Sequence, residues 1–182
     1  MKIEKTDLPG VLVLTPKVFG DERGFFLESF NKREFQQAGI EQEFVQDNHS
    51  KSTQGVVRGL HYQKKFPQGK LIRVIQGEVL DVIVDIRRGS PTFSRWISIL
   101  LSAENKKQVW IPGGLAHGFA VISETAELCY KATDYYHPED EAGIRWNDLQ
   151  LNINWQVKNP LLSEKDRQLP FLDEAEEDLP LF

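Results

Sequence analysis

The chain has 182 residues, 40% of them hydrophobic and 27% charged, with a formal charge of −5 and one cysteine. That length supports one domain with its own core, the composition is too apolar for a disordered chain, and the lone cysteine excludes a disulfide framework or a cysteine-ligated zinc site. The acidic balance disfavours a nucleic-acid-coating surface, residues 1–7 hold no apolar secretion signal, and no later run reaches the ~18 apolar residues of a membrane span. A cytoplasmic protein with neither nucleic acid nor membrane as partner is expected.

In chain order, a first strand is predicted over 10–14. A helix follows, with Asn31 as its cap, Glu34 at the capping-box position and Gly39 as its stop. Further strands are predicted over 70–75, 79–86, 95–101, 108–111, 118–122 and 127–131. The clearest is Val79 to Ile86, with Leu80, Val82, Val84 and Ile86 on one face and Asp81, Ile83 and Asp85 on the other. Turn signals separate these runs, among them Gln76-Gly77, Gly89-Ser90-Pro91 and Pro112-Gly113-Gly114. A second short helix is expected over 163–168, and an acidic tail from about 173 is expected to fray or lie on the surface. Many short strands at close spacing predict a mainly β fold, an antiparallel sandwich or barrel with a few short helices. No repeat or linker divides it, so residues 1–182 form a single domain.

Two histidine-bearing segments carry the chemistry. Gly55 to His61 is similar to the first cupin motif, G-x5-H-x-H followed by Glu, and Pro112 to His117 to the second, P-x-G-x2-H. Gln63 stands where the second His belongs and Pro67 where the Glu belongs, which leaves two imidazoles, fewer than a stable catalytic metal site uses. The pattern is a cupin scaffold without its metal, and no metal or other cofactor is expected. Imidazole is the usual general base near neutral pH. Arg58 precedes His61 by three residues, Lys70 follows by nine, and Tyr130 lies on a strand near the second motif. A base, a cation for an enolate and a phenolic acid are the parts of an epimerisation beside a ketone. A regular strand turns Arg58 and His61 to opposite faces, so both reach one cavity only if the strand bulges, with Gly59 the natural place.

Longer segments carry a resemblance over nearly the whole chain. They are Phe19-Gly20-Asp21-Glu22-Arg23-Gly24-Phe25-Phe26-Leu27-Glu28, Val45-Gln46-Asp47-Asn48-His49-Ser50, Arg58-Gly59-Leu60-His61-Tyr62-Gln63, Gly69-Lys70-Leu71-Ile72-Arg73, Asp81 to Arg87, Ile111 to Phe119 and Leu162-Ser163-Glu164-Lys165-Asp166. Together they resemble the dTDP-4-dehydrorhamnose 3,5-epimerase family, a metal-free cupin jelly roll that acts on a dTDP-sugar as a homodimer in L-rhamnose synthesis. The resemblance implies His61 as the base, Asp166 as its partner, Lys70 on the enolate oxygen and Tyr130 as the opposing acid. It implies Arg23 and Arg58 on the diphosphate. Glu28, Gln46, Asp47 and Asn48 would line the nucleotide and sugar region, with His117, Glu141 and Lys165 completing the shell. Phe19, Phe26 and Tyr135 would stack on the thymine, and Arg23 and Glu28 could belong to a neighbour's cavity.

Apart from the resemblance, Arg23 reads as a solvated charge, Asp166 as part of an exposed helix face, and Asp81 and Asp85 as partly exposed strand carboxylates, with an approach to the cavity as the alternative for Asp81. Cys129 reads as a small core residue, and His49 and His137 take no role. Three functions compete: the double epimerase, a related 3- or 5-epimerase or ketoisomerase, and a sugar-binding cupin that moves no proton. The joint presence of His61, Lys70, Tyr130 and Asp166 favours the first, and Gln63 and Pro67 disfavour a metal-dependent dioxygenase.

Overall fold

Alternating side chains and glycine-bearing turns set up most of the architecture. In the computed structural model, residues 1–176 and 179–182 are described. Among them the chain forms β1 (Lys2–Lys5), β2 (Leu12–Thr15), β3 (Val18–Asp21), β4 (Gly24–Leu27), α1 (Lys32–Gln37), β5 (Gln46–Thr53), β6 (Val57–Gln63) and β7 (Lys70–Gln76). It continues through β8 (Glu78–Val84), β9 (Trp96–Ser102), β10 (Gln108–Ile111), β11 (Ala116–Val121), β12 (Thr125–Ala132), β13 (Glu141–Gly143), α2 (Glu164–Arg167) and α3 (Leu172–Ala175). One sheet runs β1-β2-β10-β7-β12-β5, a second β13-β6-β11-β8-β9, and β3 pairs only with β4. Strand pairing is antiparallel throughout these sheets, the jelly-roll sandwich expected.

Between the sheets lies an apolar cluster that includes Ile72, Val74, Val79, Ile83, Leu101, Val109, Phe119 and Leu128. Burying each Val, Leu, Ile or Phe there contributes roughly 1.5–3 kcal/mol. A second cluster covers the outer face of the β6–β11–β8 sheet, where Val57, Leu60, Tyr62, Leu80 and Val82 meet Leu151, Trp155 and Leu172 from the C-terminal segment. Both faces of β8 are therefore buried, and Asp81 and Asp85 are fully inside. Partial exposure was expected for them from one-sided alternation; instead their side of β8, shared with Val79 and Ile83, turns between the sheets, while the C-terminal segment covers the opposite side. The Asp85 carboxylate is satisfied by Arg87, Ser90 and Thr92.

Helix α1 packs Phe35 with Leu14, Leu71 and Trp110 on the outside of the first sheet. Asn31 caps it by accepting from the Arg33 and Glu34 N–H groups, and Glu34 pairs with the N-terminal ammonium at 3.7 Å. The acidic tail does not simply fray: Leu172 and Ala175 bury one side of α3, and Leu172 N–H donates to Asp148 at 2.7 Å. Of the tail's acidic run, Glu177 and Asp178 lie outside the described residues. No helix among the described residues is long and apolar enough to cross a membrane.

Candidate active site

A cavity of about 450 Å³ opens between the two sheets. Arg58 and His61 of β6 and His117 of β11 form one wall, Lys70 of β7 and Tyr130 of β12 the other, and Lys165 and Asp166 of α2 close one side. Small polar residues on the inner face of β5, such as Ser50, leave room for this wet space beside the apolar core.

Arg58 and His61 share a wall because β6 bulges. His117 pairs with His61 and Phe119 with Arg58, so two steps along β11 face three along β6. Gly59 takes the extra position at φ +113°, where a Cβ would sit 2.6 Å from Gly118 Cα and 2.7 Å from His117 O. Only a residue without a side chain fits between β6 and β11 there. The Arg58 guanidinium is then fixed by two bonds to the Ser52 hydroxyl, at 3.2 and 3.0 Å.

His61 and Asp166 meet from positions 105 residues apart, with Nε2 to Oδ1 at 2.5 Å. Ser163 caps α2 by accepting from the Asp166 N–H, which fixes the carboxylate's approach. Burial pushes the Asp166 carboxyl up, but the His61 hydrogen bond and charge outweigh it and hold the group below the usual range, helped by Ser163 and the Gly59 N–H. With Nε2–H donating to the carboxylate, Nδ1 is the nitrogen left with a free lone pair. Opposite, burial lowers the Lys70 ammonium's pKa while Glu141 and Asp81 oppose the shift. Lys70 Nζ is 5.9 Å from the centre of the Tyr130 ring. Burial raises the Tyr130 phenol, with Glu141 adding to the shift and Arg58 opposing it, so the hydroxyl keeps its proton at neutral pH.

At the rim Glu141 accepts from Tyr136 at 2.5 Å and from Lys165. Burial raises the Glu141 carboxyl, yet the Lys165 and Tyr136 bonds bring it below its usual value, and that bond drives the Tyr136 phenol up to about 12. Gln46 donates to Asn48 at 3.0 Å, both on the inward side of β5. His117 donates to or accepts from Asp81 at 2.8 Å.

Other expected site residues stay away from this cavity. Asp47 alternates with Gln46 and Asn48, so its side chain turns to the outer face and pairs with Lys131 at 2.9 Å. Arg23 is held by Asp21 at 2.6 Å on the β3–β4 hairpin, with its side chain 85% exposed. Phe19 and Phe26 lie exposed on the same hairpin, which joins neither large sheet. Glu28, just beyond it, accepts from Asn31 at 2.9 Å. Tyr135 is exposed in the loop before β13, and its carbonyl accepts from Gln63. Cys129 is half-buried on the outer face beside Arg73 and Lys131, outside the core it was expected to join. Gln63 is fully engaged as a loop tie, donating to Phe66 and Tyr135 carbonyls and accepting from the His137 N–H.

Sequence reasoning missed Ser52 and Tyr136, and it held the inward Asp81 only as a second option to exposure. The signal for Asp81 was a carboxylate inside Val79-Leu80-Asp81-Val82-Ile83-Val84, a run apolar enough to be covered on both sides.

The family profile described as dTDP-4-dehydrorhamnose 3,5-epimerase matches residues 5–174. A curated relative of that description from Shigella flexneri is 60% identical over 168 residues, 91% of this chain and 93% of its own. The crystal structure of dTDP-6-deoxy-D-glucose-3,5-epimerase from Legionella pneumophila, in complex with dTDP-4-keto-L-rhamnose, is 50% identical with a TM-score of 0.97, covering 100% of this chain and 98% of that one. A 4-keto-6-deoxy sugar epimerase from the novobiocin cluster of Streptomyces spheroides is 36% identical with a TM-score of 0.97, covering 100% and 94%.

Proposed function

The chain belongs to the dTDP-4-dehydrorhamnose 3,5-epimerase family, an isomerase of dTDP-L-rhamnose synthesis, and from that premise we propose how its side chains divide the inversion of C5 and C3 in dTDP-4-dehydro-6-deoxy-D-glucose. The observation that carries the assignment is one cavity with the His61–Asp166 pair on one wall and Lys70 and Tyr130 on the other. Nδ1 of His61 takes the proton from the carbon beside the C4 ketone. Negative charge then builds on the ketone oxygen, where the Lys70 ammonium stabilises it. The Tyr130 hydroxyl returns a proton from the opposite face, which inverts the centre. Asp166 keeps the proton of neutral His61 on Nε2 and stabilises the imidazolium once it forms.

Arg58, braced by Ser52, binds the diphosphate through its guanidinium fork. His117, Gln46, Asn48, Glu141 and Lys165 complete the sugar and nucleotide surround. Arg23, Glu28, Phe19 and Phe26 act in a homodimer, each hairpin closing over its partner's cavity. The support is physical: a two-stranded ribbon is marginal alone, and this one exposes Phe19, Phe25 and Phe26 beside Arg23. Tyr135, exposed at the rim loop, supplies a face for the thymine.

Proton NMR in deuterated water with the 4-keto-6-deoxyglucose nucleotide tests the assignment. Deuterium should enter both C3 and C5 with the native chain and neither with His61→Asn. Exchange at one centre alone would make it a mono-epimerase, and exchange that survives His61→Asn would remove the base. Mixing Arg23→Ala with His61→Asn chains should restore part of the activity if hairpins serve the partner's cavity; no restoration would overturn the exchanged arm.

A further inference from the structure

Asp81 is a carboxylate with no exposure, on the inner face of β8 between Val79 and Ile83. Its backbone pairs with Phe119 on one side and Ile99 on the other, so apolar neighbours surround it. One oxygen meets His117 Nε2 at 2.8 Å, and the other, Oδ1, has no hydrogen-bond partner. A half-satisfied buried carboxylate costs folding free energy that an apolar residue of similar volume avoids. The fold alone therefore gives no reason for it. What it faces does: His117, its partner diagonally across the β8–β11 ladder, lines the cavity that also holds the half-buried Lys70, whose positive charge Asp81 favours.

We propose that Asp81 is a positioning residue of the epimerase, acting through two side chains of the cavity rather than on the substrate. It rests on the assignment of Lys70 to the enolate oxygen. Through Nε2 it fixes the ring of His117, leaving Nδ1 as the imidazole's free edge. Through its charge it offsets the burial that would strip the proton from Lys70, and Lys70 serves the enolate only while protonated. Glu141 contributes at the rim, but it is already engaged by Tyr136 and Lys165, whereas Oδ1 of Asp81 is uncommitted. The other titratable groups lining the cavity are Tyr130 on Lys70's own sheet, Arg58, His61 and His117 on the facing one, and Lys165 and Asp166 on α2. Of these only Asp166 carries a negative charge at neutral pH, and that charge is engaged by His61.

The test compares kcat, KM and pH profiles of the native chain, Asp81→Asn and Lys70→Ala, with melting curves run alongside. Asp81→Asn should lower kcat by about a hundredfold at neutral pH and change KM little, the scale of losing one charged stabiliser of an oxyanion. Removing the carboxylate lets Lys70 deprotonate at lower pH, so the alkaline limb of kcat should move down and the deficit should shrink as the medium is acidified. A deficit that is constant with pH, or confined to KM or to the melting temperature, would overturn the proposal. Should Asp81→Asn not fold, Asp81→Glu and His117→Asn carry the same test. Both retain the charge, so both should keep the native alkaline limb while kcat falls, and a displaced limb in either refutes it. If Lys70→Ala turns over normally, the fault lies in the role given to Lys70 and not in the link from Asp81.

Discussion

Replacing Asp166 with Asn tests the catalytic pair with almost no change of shape. Asp166 is 3% exposed and its carboxylate meets three donors, His61 Nε2–H at 2.5 Å, the Ser163 hydroxyl and the backbone N–H of Gly59. An amide offers one acceptor oxygen where the carboxylate offers two. If the oxygen stays with Gly59, the NH₂ faces His61 and forces the proton from Nε2 to Nδ1, which removes the free lone pair from the cavity. If the oxygen turns to His61, two N–H groups collide at Gly59 and the imidazolium loses its counter-charge. Either way the base is lost or weakened, which costs about a hundred- to ten-thousand-fold in kcat, or about 3–5 kcal/mol of barrier. Initial rates of deuterium entry at C5 and C3, followed by NMR, measure it directly. A variant that melts like the native chain and exchanges within a few-fold of its rate would refute the role of the pair.

Tyr130→Phe should keep deuterium exchange at the carbon facing His61 while net inversion falls, because a proton can leave and return on one face; parallel loss of both in the NMR assay would deny Tyr130 its separate role. Gly59→Ala should destabilise by about 2–4 kcal/mol in denaturant titration, from the positive φ and the 2.6 and 2.7 Å overlaps with β11, and should also spoil the Arg58–His61 alignment. Unchanged stability and rate would mean the bulge is not constrained as described. Asp85 is lowered from 3.8 to about 2: burial pushes it up, but bonds from Arg87, Ser90 and Thr92 outweigh that. Its folded value lies below the unfolded one, so its stabilisation, about 2 kcal/mol, is full above about pH 4 and lost as the pH falls toward 2. Asp85→Asn should flatten that part of the acid-unfolding curve, and an unaltered slope would contradict the linkage.

How far the chain could be read in advance depended on what each strand faces. Strand β8 was plain because its side chains alternate, and α1 because Asn31 and Gly39 bracket it. Strand β5 has no apolar period, since Gln46, Asn48, Ser50 and Ser52 point into a polar space, and hydrophobic patterning is blind to such a strand. The bulge at Gly59 followed from parity once Arg58 and His61 were asked to share a wall. Asp166 did not follow from local chemistry: Glu164-Lys165-Asp166-Arg167 looks like a solvated helix, and only tertiary return of the tail brings its carboxylate to His61. The tail also disguised the two faces of β8: Leu151, Trp155 and Leu172 cover the Leu80, Val82 and Val84 side, which leaves the side of Asp81 and Asp85 turned between the sheets, and nothing within β8 announces it.

That the imidazole's partner arrives on α2, after the last strand of either sheet, orders events during synthesis. A nascent chain that has emerged only as far as β13 already contains all the strands described here, yet it lacks the group that orients its base. Chemistry therefore switches on late, when α2 threads back across the mouth, and a translation product cut short before Asp166 would lack both the partner of its base and the Leu172 cover of the β6–β11–β8 sheet.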